Sequence, residues 1–308
     1  MKNCNFLNDT SGQRGGGVYW YGANGSLTGC SFIGNTATNY GGGVRWSGQN
    51  GTLTNSTFIN NKVGGSGGAI DWFGENGHLT GCTFTGNNVI DNYGGSVSWS
   101  GNNGISTSCI FNNNYAKNGG SISGTGINCT FIDCTFIKNN ASSAGGAVYW
   151  SNNNCSFIES TFINNTAGAG GAICLYGNYI YLKSCIFTNN AAKENGGAIY
   201  LYYDGSMNNC TFVNSKSSNN IFNGIYTRVK LSINGGKGIV DINNQGTLSG
   251  ILIVVLNNET YYYPPSTNIN FFKKHDLFDY ILVSLVHFIL INDFFFRNNG
   301  NFLLNNIL

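Results

Sequence analysis

The 308-residue chain carries 45 Gly against 2 Pro, only 9% charged residues and a formal net charge of +2. Gly and Asn are poor helix formers and nothing compensates with Ala, Leu, Glu and Lys, so an ordinary helical protein is excluded. Lys and Arg form no cluster that would neutralise a row of phosphates, which removes nucleic acid as an expected partner. The opening residues, MKNCNFLNDT, lack the run of about 7 to 15 apolar residues of a secretion signal, so the chain is expected to stay inside the cell or to be a piece of something longer.

Internal repetition organises residues 1–220. Gly-Gly pairs begin at Gly15, Gly41, Gly67, Gly94, Gly119, Gly145, Gly170 and Gly196, at intervals of 26, 26, 27, 25, 26, 25 and 26 residues. Within one unit, in chain order, a Phe column comes first: Phe6, Phe32, Phe58, Phe84, Phe111, Phe136, Phe162, Phe187 and Phe212. Two residues earlier stands a Cys or Ser; three residues later stand Asp9, Asn35, Asn61, Asn87, Asn114, Asn139, Asn165, Asn190 and Ser215, a ladder of one amide per turn.

After the Gly pair, Val18, Val44, Ile70, Val97, Ile122, Val148, Ile173 and Ile199 share a slot, all β-branched. Two residues on come Trp20, Trp46, Trp72, Trp99, Gly124, Trp150, Leu175 and Leu201, and all five tryptophans sit there. The residue between is mixed and mostly polar, and such period-2 alternation predicts a strand with one buried face. A Leu/Phe column follows at Leu27, Leu53, Leu79, Phe131, Phe157, Leu182 and Met207, broken by Ser106, and then pairs such as Thr28-Gly29 and Thr54-Asn55 that suit a bend.

Three short strands and three corners per unit predict an all-β, right-handed parallel β-helix, a solenoid of about nine coils. Stacking at about 4.8 Å per coil makes a rod on the order of 43 Å long. Equivalent side chains then lie above one another, with Trp and thiols inward and Asn amides bonding along the axis.

With GGAI at Gly67–Ile70, Gly170–Ile173 and Gly196–Ile199, and Phe-x-x-Asn from Phe32–Asn35 through Phe187–Asn190, the chain resembles the polymorphic outer-membrane protein repeat. It is also similar to the β-helical adhesin-like surface proteins of methanogens. The resemblance covers residues 1 to about 220. It implies a secreted or envelope-attached passenger domain used in adhesion, with cell-surface glycans or proteins as partners, and no active site or cofactor to carry over.

Residues 221–270 change character. Longer strands with turns at Asn234-Gly235 and Asn257-Asn258 resemble the opening of an immunoglobulin-like β-sandwich, yet fall short of the roughly 100 residues such a domain needs. Residues 271–308 form an apolar tail holding 8 of the 21 phenylalanines and a single Gly. Three readings stay open for it: a sandwich cut by a reading-frame change, which is favoured; a helix capping the exposed final strand edge; and a membrane attachment over Tyr280–Ile291, shorter than the usual ~20 residues.

The candidate chemistry is weighed slot by slot. Cys4, Cys30, Cys82, Cys109, Cys134, Cys185 and Cys210 alternate with Ser56 and Ser160, which predicts small buried thiols rather than disulfides or metal ligands. Cys129 and Cys155 form a second, two-rung column. Asp133 and Glu159 are the best carboxylate pair for a glycosidase or lyase, but read as solvated surface. Arg45 beside Asp71 reads as a surface ion pair of little worth. Sequons at Asn24, Asn50, Asn140, Asn164 and Asn258 are expected by chance in so Asn-rich a chain.

The outward slots around the Trp column carry Tyr19, Tyr21, Phe73, Tyr149, Tyr176, Tyr200 and Tyr202. Sugar rings stack on such faces, so Tyr149, Tyr176, Tyr200 and Tyr202 are the candidate ligand-binding residues. The expectation is a non-catalytic, adhesin-like protein of the cell surface, a segment of something larger. The alternative is a polysaccharide-active enzyme of pectate-lyase type, which a carboxylate or Arg cluster in one groove would reveal.

Overall fold

A residue in the left-handed region breaks a strand, and this chain places such residues at the same points of successive coils. Asn, which tolerates positive φ, fills many of them: Asn3 and Asn55 in one corner, Asn8, Asn60 and Asn113 in another, Asn24, Asn50, Asn76 and Asn103 in a third. The first Gly of each Gly-Gly pair occupies a fourth. At Gly41, with φ +63°, an added Cβ would stand 2.1 Å from the Val44 carbonyl oxygen, so only Gly fits there. The scattered Asn of the composition is thus corner chemistry.

The computed structural model describes residues 1–218 and, beyond them, the backbone of strands Ile225–Thr227, Leu231–Gly238, Ile242–Asn244, Leu252–Leu256 and Glu259–Tyr263. The described chain is a parallel β-solenoid with strands in three sheets. One coil reads Ser26–Thr28, Ser31–Ile33, Thr36–Ala37 and Val44–Trp46. The first two strands belong to one sheet, bent at Gly29; the third and fourth each build a sheet of their own. There are therefore four strands per coil, where the alternation predicts three. In most coils the extra strand is two residues long with one inward residue, such as Ala37 or Val63, too short for alternation to reveal it; it lengthens only at Tyr115–Asn118 and Asn140–Ala144.

Register is exact in the sense the repeat demands: Phe32 opposes Phe58, and Trp46 opposes Trp72. Nine Phe rings from Phe6 to Phe212 stack through eight full turns, neighbouring rings 4.6 to 4.9 Å apart and nearly parallel. Each buried ring contributes roughly 2–3 kcal/mol by leaving water.

Beside this stack runs the Asn ladder. Asn61 Nδ2 donates to Asn87 Oδ1 at 3.0 Å and to the Phe32 carbonyl at 2.9 Å, and its own Oδ1 accepts from Asn35 Nδ2 and from the Asn35 backbone N–H. The same fourfold pattern recurs at Asn87, Asn114, Asn139 and Asn165. All donors and acceptors of these fully buried amides are used, which is what makes a polar column tolerable in the core.

The Trp column shows how volume is conserved. Trp20, Trp46, Trp72 and Trp99 stack, and each lies over a Gly five residues on; at Gly51 a Cβ would meet the Trp46 indole at 2.2 Å. Where Gly124 vacates the slot, Trp150 of the next coil fills the space and donates to the Gly126 carbonyl at 3.0 Å. In these two coils Cys129 and Cys155 replace the Gly. All ten cysteines are free, and nine are buried. Burial pushes the Cys129 thiol up to about 12, so this side chain is a neutral small hydrophobe.

Past residue 218, Ile225–Thr227 pairs parallel with Ile199–Leu201, Leu231–Gly238 pairs parallel with Gly205–Val213, and Leu252–Leu256 pairs antiparallel with Glu259–Tyr263. The remainder of the expected sandwich segment, 221–270, and the tail, 271–308, lie outside the described residues.

Candidate ligand-binding face

The strands of the tryptophan sheet are three residues long. Their first and third side chains enter the core, so the second faces outward and stacks into one column: Tyr19, Arg45, Asp71, Ser98, Ser123, Tyr149, Cys174 and Tyr200. The residue after each strand continues the ladder and adds Tyr21, Phe73, Tyr176 and Tyr202. The residue before each Gly pair supplies a further edge, including Arg14, Tyr40 and Tyr93.

The four candidate tyrosines come together around Tyr176. Its ring centre lies 5.7 Å from Tyr149, 6.1 Å from Tyr200 and 5.0 Å from Tyr202, the last pair stacked. Cys174, outward on the coil between Tyr149 and Tyr200, is 0% exposed among these rings. Burial raises the phenol pKa of Tyr176 and of Tyr149, which keeps both hydroxyls protonated. The cluster therefore offers half-buried ring faces and hydroxyls, able to stack on a sugar's C–H face and bond its hydroxyls.

Two members of the cluster escape the slot analysis. Tyr203 meets Tyr202 edge-on at 4.9 Å, and Tyr93 reaches Tyr149 at 6.3 Å across the coil of Ser123, which is 5% exposed. The signal for Tyr93 lay in its place directly before Gly94, equivalent to Arg14 and Tyr40.

Arg45 and Asp71 depart from the surface ion pair that the sequence predicts. They do form an ion pair on adjacent coils, but Asp71 is 4% exposed and Arg45 is largely covered, so the pair is not solvated surface. The cover is aromatic: the Arg45 guanidinium stands 4.9 Å from the Tyr40 ring centre and 5.3 Å from that of Phe73. An outward slot is buried when its flanks carry rings.

Asp133 and Glu159 lie on adjacent coils as expected, both exposed, both at positive φ, with Ser108 Oγ donating to Asp133 Oδ2 at 2.9 Å. They stand at the bend of the phenylalanine sheet, a different part of the coil from the tyrosines. The sequons at Asn24 and Asn50 have a structural origin: a left-handed corner, an inward Gly, then an outward Ser or Thr opening the next strand. Asn24, Asn50, Asn76, Asn103, Asn128 and Asn154 form an exposed second ladder, Asn76 Nδ2 to Asn50 Oδ1 being 2.9 Å.

The chain matches the family model of the right handed beta helix region over residues 1–167, and that of the Chlamydia polymorphic membrane protein repeat over 159–176 and 184–202. No curated protein and no solved structure matches it. The two family matches support a surface-associated β-helical protein.

Proposed function

The chain belongs to the right-handed β-helix family, and on that premise we propose that it is a non-catalytic, adhesin-like protein that displays its outer face at the cell surface to glycans or proteins. The observation that carries this reading is the tyrosine cluster of Tyr149, Tyr176, Tyr200 and Tyr202, with ring centres 5.0 to 6.1 Å from Tyr176. The fold does not require aromatics there, since the same slots hold Ser98, Ser100, Ser123 and Thr125 in the middle coils. Rings kept half-exposed together, at positions where Ser serves the ladder equally well, form a contact surface.

Replacing Tyr176, Tyr200 and Tyr202 by Ser tests this. The triple variant is expected to keep the wild-type circular dichroism and to lose binding to neutral glycans on an array; unchanged binding overturns the reading. Depolymerisation assays on acidic and neutral polysaccharides address catalysis, and turnover of either would replace adhesion by an enzymatic role.

A further inference from the structure

We propose that the first three coils carry a second binding site, for an anionic saccharide, centred on Arg14. This site is separate from the tyrosine cluster and does not depend on it. The two lie about five coils, or ~24 Å, apart along the same sheet.

Arg14 and Arg45 are the only arginines among residues 1–218, and both belong to this end of the face. The Arg14 guanidinium stands 6.0 Å from the ring centre of Tyr19 and 5.9 Å from that of Tyr40; Arg45 stands between Tyr40 and Phe73. Ring and cation thus alternate as Tyr19, Arg14, Tyr40, Arg45 and Phe73. Two cations meet one carboxylate. Asp71 is taken by Arg45, and among the described residues that is the sole ion pair, so Arg14 has its charge uncompensated.

The local field is visible in Tyr19. Hydrogen bonds from Ser47 and Arg14 lower its phenol pKa, a preference for negative charge at that point. Arg14 donates to Tyr19 Oη at 3.5 Å, a long bond that leaves most of the guanidinium's donors for a ligand.

The exposed rings define the rest of the ligand. Tyr21 is 78% and Phe73 59% exposed; Tyr21 meets Tyr19, the ring beside Arg14, edge-on at 6.3 Å, and Phe73 lies against Arg45. A sugar bearing a carboxylate or sulfate satisfies both features: its anion takes the guanidinium fork, and its C–H face lies on a ring. One net cation is too few to hold a polyphosphate backbone, which sets the saccharide apart from nucleic acid.

The test titrates the full chain and its Arg14→Gln variant with a uronic-acid hexasaccharide, a sulfated hexasaccharide and a neutral hexasaccharide by calorimetry. Arg14 is exposed, so the variant is expected to fold as wild type does. Wild type is expected to bind at least one acidic probe roughly tenfold more tightly than the neutral one, as for one charge-assisted contact. R14Q is expected to lose that preference while neutral-glycan binding at the tyrosines persists. Which acidic probe is preferred identifies carboxylate or sulfate as the anion. Equal binding of acidic and neutral probes by wild type, or an undiminished preference in R14Q, overturns the proposal. The Tyr176, Tyr200 and Tyr202 triple variant is expected to keep the acidic preference whether or not it loses neutral binding, so the two readings fail separately.

Discussion

The inner and outer columns of the tryptophan sheet share one backbone ladder and differ in everything else. Inward, Val or Ile stands on every coil; outward, the equivalent column runs from Tyr19 through Arg45, Asp71 and Ser98 to Cys174. The ladder's hydrogen bonds come from the backbone, so they set no side-chain requirement. Packing sets it, at every inward slot but outward only where neighbouring rings cover the slot, as at Asp71 and Cys174. The difference separates the two tasks: inner columns specify the solenoid, and outer columns are free to carry recognition.

The largest expected effect is an inner one. Phe111→Ala removes one ring from a stack with neighbours 4.8 Å away on both sides, and should cost about 3–5 kcal/mol in a denaturant titration. A loss under about 1 kcal/mol would mean the inner column does not specify the fold.

Next comes Asp71, outward by position but covered. Its replacement by Ala leaves Arg45 without its carboxylate under Tyr40 and Phe73, and should cost about 2–3 kcal/mol, below a fully buried pair because Arg45 keeps its ring contacts. A result within about 0.5 kcal/mol would restore the solvated-surface reading.

Alkaline pH should strike the inner face as well. Burial raises the Cys129 thiol from 9.0 to about 12, so the folded state holds its proton where the unfolded chain releases it. This contribution is complete below pH 9 and is lost as pH rises toward about 12, amounting to about 2 kcal/mol near pH 10.5. Thermal unfolding at pH 8 and 10.5 measures it as the difference between wild type and Cys129→Ser, which should lose this share of the dependence while Cys155 and Cys174, raised by the same burial, keep theirs. The smallest stability change belongs to the outer tyrosines, whose Ser replacements should shift unfolding by about 1 kcal/mol or less while binding is lost.

Sequence legibility follows the same division. The Phe, Trp and Asn columns are readable because each is surrounded by its own kind, and position in the repeat then determines environment. The two-residue strand at Thr36–Ala37 hides because a single inward residue has no period. Trp150 leaves its own column because Gly124 opens a space above, and the compensating Cys129 and Cys155 show that volume is shared between slots five residues apart. That coupling was readable in Trp46-to-Gly51 spacing but needs two columns considered jointly. On the outer face, slot analysis places Tyr149, Tyr176, Tyr200 and Tyr202 correctly, yet exposure there depends on neighbours across coils. Tyr93 reaching over Ser123, and the rings covering Asp71, are products of three dimensions.

The central claim is that residues one coil apart in sequence lie directly against each other. A double-mutant cycle on the Asn ladder tests it most directly, using Asn87→Ala with Asn114→Ala, and Asn61→Ala with Asn165→Ala as the distant control. The account predicts coupling of about 1 kcal/mol or more between Asn87 and Asn114, joined by two hydrogen bonds of 2.9 and 3.1 Å, and additivity within about 0.5 kcal/mol for the control. Additive effects at Asn87 and Asn114 would contradict it.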